Sequence, residues 1–170
     1  YAGKIKSYNL QASYSHLKNF GAKLLTDITT APDGRKHFYI HDLWCNVFEI
    51  IEEKTSWYQQ KDFTTGGVLG AVIGVKDIDK SIGLYKTVLG FDKVVSDTTD
   101  TFADWKGVEG SQKKFRRVIL RNSKPREGSF GPLLGDNEIE LVQAFDYTPR
   151  KIFENRLWGD CGFIHLCFDI

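Results

Sequence analysis

Three side chains with ligand chemistry alternate near the end of the 170-residue sequence: His165, Cys167 and Asp169, within Gly162-Phe163-Ile164-His165-Leu166-Cys167-Phe168-Asp169-Ile170. Side chains of a strand point alternately to its two faces. A strand over 162–170 therefore sets these three on one face and Ile164, Leu166, Phe168 and Ile170 on the other. An imidazole beside a carboxylate can bind a metal or carry a proton; the plainer alternative is a core histidine bonded to an aspartate or a carbonyl. Two further carboxylates stand out by repetition. Phe48-Glu49-Ile50-Ile51 and Ile139-Glu140-Leu141-Val142 each set one Glu among apolar residues at the end of a strand. Alternation groups Glu140 with Glu138 and Val142, opposite Ile139 and Leu141, which allows an inward carboxylate or a solvated edge; Glu49 stands in the same position.

The elements that would position these groups fall into two similar runs. In the first, Leu10, Tyr14, Leu17 and Phe20 have helical spacing, with Ser7 as N-cap and Gly21 as the stop. Strands at 22–25, 35–40 and 47–52 follow, with turns at Pro32-Asp33-Gly34 and at 42–46. A polar stretch from Glu53 to Thr65, closed by Gly66-Gly67, reads as a linker. The second run opens with a strand at 70–75. Asp77 then caps a helix whose apolar stripe is Ile78, Ile82, Tyr85 and Leu89 and whose stop is Gly90. Strands at 91–97, 114–122 and 137–144 complete it. Repetition at this length points to duplicated modules. The expected organisation is the closing part of a βαβββ module at 1–53, a linker at 54–67, a complete module at 68–145, and a connection plus the first strand of a further module at 146–170.

Composition narrows the function. A net charge of +1 gives the chain as a whole no electrostatic pull toward nucleic acid or a membrane surface, and no apolar run approaches the ~20 residues that span a bilayer. The cysteines, Cys45, Cys161 and Cys167, are odd in number and lack C-x-x-C spacing. That argues against a disulfide framework or a zinc knuckle and fits reduced thiols in a cytoplasmic protein.

Val75-Lys76-Asp77-Ile78-Asp79-Lys80-Ser81-Ile82, Tyr85 and Val88-Leu89-Gly90-Phe91 resemble the opening strand, helix and helix stop of the vicinal oxygen chelate superfamily. This family includes glyoxalase I, bleomycin-resistance proteins and extradiol dioxygenases. His16-Leu17-Lys18 to Gly21-Ala22, Pro32-Asp33-Gly34, His41-Asp42, Asn46-Val47-Phe48-Glu49 and Ile139-Glu140-Leu141 resemble the closing half of its module. The resemblance implies an α+β fold of βαβββ modules forming cupped mixed sheets, here as one and a half modules plus a strand of a four-module chain. It also implies a divalent metal (Zn, Ni, Fe or Mn) in the cup, held from the first and last strands of each module. Glu49 and Glu140 match the last-strand carboxylate, and His165 matches a first-strand histidine. Gly70 falls where another ligand would stand and cannot supply one.

A metal so held can chelate two neighbouring substrate oxygens as a Lewis acid, with a nearby carboxylate as general base. The function expected first is a glyoxalase-like metalloenzyme: a lactoylglutathione lyase-like lyase, an epimerase or a dioxygenase acting on a small molecule with vicinal oxygens. No catalytic base is assigned. The alternatives are a non-catalytic small-molecule-binding protein of the bleomycin-resistance kind, which Gly70 favours, and a structural module whose cup is vestigial. Members of the family often pair modules between chains, which implies a homodimer. Other features carry two readings each. Cys167 is a soft ligand or a small buried hydrophobe. Lys113 to Arg117 is an anion contact or a solvated strand edge. Trp105 covers a substrate or packs on a neighbouring module. Gly70 and Gly74 make room for a ligand or let another backbone approach.

Overall fold

The computed structural model describes residues 2–55, 63–125, 127, 131 and 135–168. Among them, nine strands and two helices follow the order β1 (Ala2–Ser7), α1 (Leu10–Asn19), β2 (Lys23–Leu24), β3 (Thr29–Thr30), β4 (Lys36–His41), β5 (Val47–Glu52), β6 (Thr65–Gly74), α2 (Ile78–Leu89), β7 (Lys93–Asp100), β8 (Phe115–Arg121) and β9 (Glu138–Ala144). A single mixed sheet runs β2-β4-β5-β1-β6-β9-β8-β7, with β3 paired to β4. The order is a palindrome of two units. In each, the first strand lies parallel to the last, β1 with β5 and β6 with β9, and the two first strands join antiparallel at the centre.

The first unit therefore has its own opening strand, which the sequence reading did not find, and residues 2–52 carry the whole βαβββ pattern. The reason is the chemistry of β1. Its buried side chains are Ala2, Lys4, Lys6 and Ser7, while Gly3 and Ile5 are only half-buried. A strand that buries lysines shows no hydrophobic alternation. The true cap of α1 is Asn9, whose side chain accepts from the Ala12 N–H, while Ser7 bonds Ser13 Oγ at 2.8 Å. Phe20, expected in the stripe, is exposed. In the second unit, Asp77 caps α2 by accepting from Lys80 N–H, and Gly90 ends the helix in a left-handed conformation at φ 71°, as the spacing predicts.

Alternation sorts the sheet into two faces. One carries Ile5, Phe38 and Ile50 under α1, and Val118, Leu120, Ile139 and Leu141 under α2. The other is the hollow of the cup. It is closed at one end by the segment between β7 and β8, where Phe102, Trp105 and Val108 pack on Ala2, Tyr39, Val72, Phe115 and Val142.

Two expected boundaries change. The linker at 54–67 overlaps β6, which begins at Thr65; its central residues 56–62 lie outside the described residues. The first strand of a further module, expected within 146–170, is not formed among residues 146–168. The run instead lies irregularly along the molecule. Phe163 stacks edge-on against Phe48 and Phe168 sits against Tyr85 and Phe91. An alternating sequence becomes a strand only when a free ladder edge receives it, and here its aromatic residues find packing without one.

Candidate functional site

The inner face of the cup gathers charge from both units. Register places Lys4 of β1 opposite Glu49 of β5 and opposite Gly70 of β6; Gly70 in turn pairs with Glu138 of β9. Two residues on, Glu140 shares this face. A side chain at Gly70 would run into the carbonyl oxygen of Glu138. The missing Cβ is what lets β9 lie this close and brings its carboxylates toward β1.

Lys4 Nζ is the centre of the arrangement. It lies 2.6 Å from Glu138 Oε1, 2.7 Å from Glu140 Oε2 and 3.2 Å from Glu49 Oε2, all four side chains fully buried. From there a closed ring of alternating charge can be followed. Glu49 Oε1 is 2.6 Å from His37 Nδ1, and His37 Nε2 is 3.3 Å from Asp104 Oδ2 without hydrogen-bond alignment. Asp104 Oδ2 accepts from Arg117 Nη1 at 2.7 Å, Glu140 Oε1 accepts from Arg117 Nε at 2.7 Å, and Glu140 leads back to Lys4. Three members, Lys4, His37 and Glu49, come from the first unit and three, Asp104, Arg117 and Glu140, from the second. Glu138 forms a branch, accepting from Arg35 Nη2 at 2.7 Å and from Arg121 Nε at 2.9 Å.

The plug between β7 and β8 roofs the ring. The Arg117 guanidinium lies 4.2 Å from the Trp105 ring centroid and 4.6 Å from that of Phe102, a cation–π arrangement in a dry setting. Trp105 Nε1 donates to Tyr39 Oη at 2.9 Å across the unit boundary. At Gly107, with φ 108°, the plug backbone reaches the residue just after β2 so closely that a Cβ would strike the Leu25 carbonyl. Trp105 is thus committed to packing on the first unit and on Phe115.

Such a ring moves its members away from neutrality. Burial pushes the Glu140 carboxyl up, but Arg117 and Lys4 outweigh it and hold it at about 2. Burial likewise opposes ionisation of Glu138, and Lys4, Arg35 and Arg121 bring it to about 2. Burial alone would discharge Lys4; Glu138, Glu140 and Glu49 reverse that and keep the ammonium well above its ordinary range. His37 loses hydration too, yet its contacts with Asp104 and Glu49 raise it above 6.5. A charge buried in this way is tolerated only because each has an opposite partner in contact.

The residues singled out from sequence separate. Glu49 and Glu140 meet at Lys4, whereas His165 is exposed and stacks on Trp158, ring centroids 5.4 Å apart and nearly parallel. Cys167 is exposed, so it is not a buried hydrophobe, and Asp169 lies outside the described residues. The basic run splits by alternation. Arg116 faces outward to Asp97 and Asp79, while Arg117, read as part of a solvated edge, is fully buried in the ring. Lys4, His37 and Asp104 were not anticipated. One signal pointed to the first: the second module has a strand directly before its helix, so the repeat calls for one before α1.

The architecture is a glyoxalase-like fold of paired βαβββ units. It superposes on glyoxalase I from Zea mays at a TM-score of 0.52 and 15% identity, over 87% of this chain and 43% of that one. A mutant of the same maize enzyme gives 0.54 at 14% identity, over 87% and 44%. A proposed dioxygenase from Bacillus subtilis gives 0.52 at 17%, over 82% and 39%. The chain spans less than half the length of these proteins. No protein-family model matches the sequence, and no curated protein matches it.

The metal implied by the resemblance does not fit the side chains present. The carboxylates that would hold it already surround an ammonium, and Glu140 is held from behind by Arg117. Among the described residues, no group of three or more His, Cys, Asp or Glu is arranged to hold a metal ion. No helix among them is long and apolar enough to cross a membrane.

Proposed function

We propose that this chain is a metal-independent, non-catalytic module of the vicinal oxygen chelate fold, in which an internal charge ring locks together two βαβββ units that lie side by side in one sheet. The observation that carries this reading is the Lys4 ammonium within 2.6–3.2 Å of Glu138, Glu140 and Glu49. It neutralises the carboxylates that a metal would need. A catalytic acid or base works best with its pKa near the operating pH; Glu138 and Glu140 sit at about 2 and are committed to cations. The plug leaves the ring no exposed side chain for a substrate to touch. The module's role is then that of a scaffold.

The glyoxalase-like lyase, epimerase or dioxygenase is the second reading. One observation favours it: Glu49 and Glu140, from different units, converge on a single point. A sequestering role of the bleomycin-resistance kind needs a chamber. One depression among the described residues, on the plug and lined by Thr101, Phe102, Ala103, Lys106, Ser111 and Gln112, measures about 210 Å³, below the roughly 300 Å³ where small-molecule pockets begin.

Elemental analysis of the purified protein, thermal unfolding with and without EDTA, and turnover of a glutathione hemithioacetal with added Zn²⁺ or Ni²⁺ test the proposal together. We expect no stoichiometric metal, an unchanged Tm and no turnover. One tightly held metal ion per chain, removed by EDTA with loss of Tm, would sink it.

A further inference from the structure

We propose that one corner of the first unit, formed by the end of α1 and the β4–β5 turn, is a membrane-contact surface: Leu43, Trp44 and Phe20 enter the headgroup layer of an anionic lipid bilayer, while Lys18, Lys23 and Arg156 meet its phosphates. This surface shares no residue with the charge ring and stands or falls without it.

The apolar groups are held out by a fixed turn. Asp42 Oδ1 accepts from the Trp44 N–H at 2.9 Å and from the Asn46 N–H at 2.8 Å, and Asp42 Oδ2 accepts from Asn46 Nδ2 at 2.7 Å. Cys45 closes the turn at φ 62°, a left-handed conformation that a side chain resists. The turn leaves Leu43 92% and Trp44 61% exposed. Lys23 pairs with His41, the residue before Asp42, so the end of α1 leads to the same corner and brings Phe20, 82% exposed. Large apolar groups gathered in water mark a contact site, and the charge around them names the partner. Lys18 and Lys23 are exposed, and neither has an acidic partner among the described residues. A Cβ at Gly162 would meet both Asn46 Oδ1 and Arg156 Nη1, so a third cation stands beside the turn, followed in the chain by the exposed Leu157 and Trp158. Of the nearby acids, Asp42 is bonded within the turn and Asp160 accepts from the Leu157 N–H, while Glu154 is outnumbered in its own run by Arg150 and Lys151. An apolar tip ringed by cations suits an anionic bilayer: indole and leucine side chains settle at the headgroup boundary, and acidic lipid draws lysine and arginine. A second copy meeting this corner by twofold symmetry would set the same cations against each other. Leu43, the most exposed of the group, offers a nucleic-acid base no ring to stack on.

The experiment mixes the whole chain with sedimentable vesicles of phosphatidylcholine, alone or with phosphatidylserine, and measures the bound fraction as NaCl is raised. The wild type is expected to bind only the vesicles that contain phosphatidylserine, and less as salt rises. Leu43→Ser with Trp44→Ser should weaken binding about tenfold or more at unchanged Tm, because both side chains are exposed. Lys18→Glu with Lys23→Glu should weaken it at low salt and change little at high salt. Leu43→Met with Trp44→Phe keeps the apolar area and should bind like the wild type. A wild type that does not sediment with the phosphatidylserine vesicles overturns the proposal, and so does a Leu43→Ser, Trp44→Ser chain that binds them as well as the wild type. A dimer in analytical ultracentrifugation that this double variant dissolves gives the corner to a second copy and overturns it too. Tighter binding of a single-stranded oligonucleotide than of the vesicles does the same.

Discussion

The cup interior and the C-terminal segment make an instructive pair. From sequence, Glu140 of the cup and His165 of the tail belonged to one expected metal site, with Glu49 as the matching carboxylate of another. In the structure the two glutamates are fully buried and bound into a ring that spans both units. His165 lies exposed, in contact with Trp158. What separates them is backbone pairing. The cup strands are fixed by neighbours on both sides, and the side chains on one face have no solvent to turn to. The tail has the right alternation and no ladder among its described residues, so its side chains face where local packing sends them.

The comparison breaks most sharply at Arg117. Replacing it with Met takes the shared guanidinium from the buried Asp104 and Glu140 carboxylates, leaving Glu140 with Lys4 alone and Asp104 with the unaligned His37 contact, which should cost about 3–5 kcal/mol of stability in urea unfolding. A loss below about 1 kcal/mol would mean that the ring does not hold the units together. Acid gives the next effect. Glu138 and Glu140 have folded values of about 2, below their ordinary 4.5. Their stabilisation is therefore complete above about 4.5 and is lost as pH falls toward 2, roughly 3 kcal/mol for Glu138 alone. His37 has the opposite sign: its folded value is raised above 6.5, so its contribution is complete below 6.5 and is lost as pH rises through the folded value. Stability measured across pH should fall at both ends, and His37→Gln should remove the alkaline fall alone. His165→Ala should be the smallest change, within about 0.5 kcal/mol, as for an ordinary surface site. A larger loss would show that the tail is integral to the fold.

Much of the fold was legible in the residues. Asp77, the Ile78, Ile82, Tyr85 and Leu89 stripe and Gly90 define α2 by cap, period and stop, all within one stretch of chain. The β5 bounds and the repeated apolar–Glu–apolar endings of β5 and β9 follow from the same local logic. β1 escaped because its inward residues are lysines, and Arg117 was misassigned because a run of basic residues looks solvated whichever face each one takes.

Sequence by itself determined the repeated run of a helix and three strands and the opening strand of the second unit, since caps, turns and periodicity are properties of neighbouring residues. Only the tertiary structure decided what the cup contains. Lys4 and Glu140 are 136 positions apart, and their meeting depends on β1 and β6 pairing to join the two units side by side in one sheet. The strength of that contact comes from exclusion of water by a plug whose closing residue, Trp105, lies in neither strand. A burial that depends on every strand being in place cannot be read from any one of them.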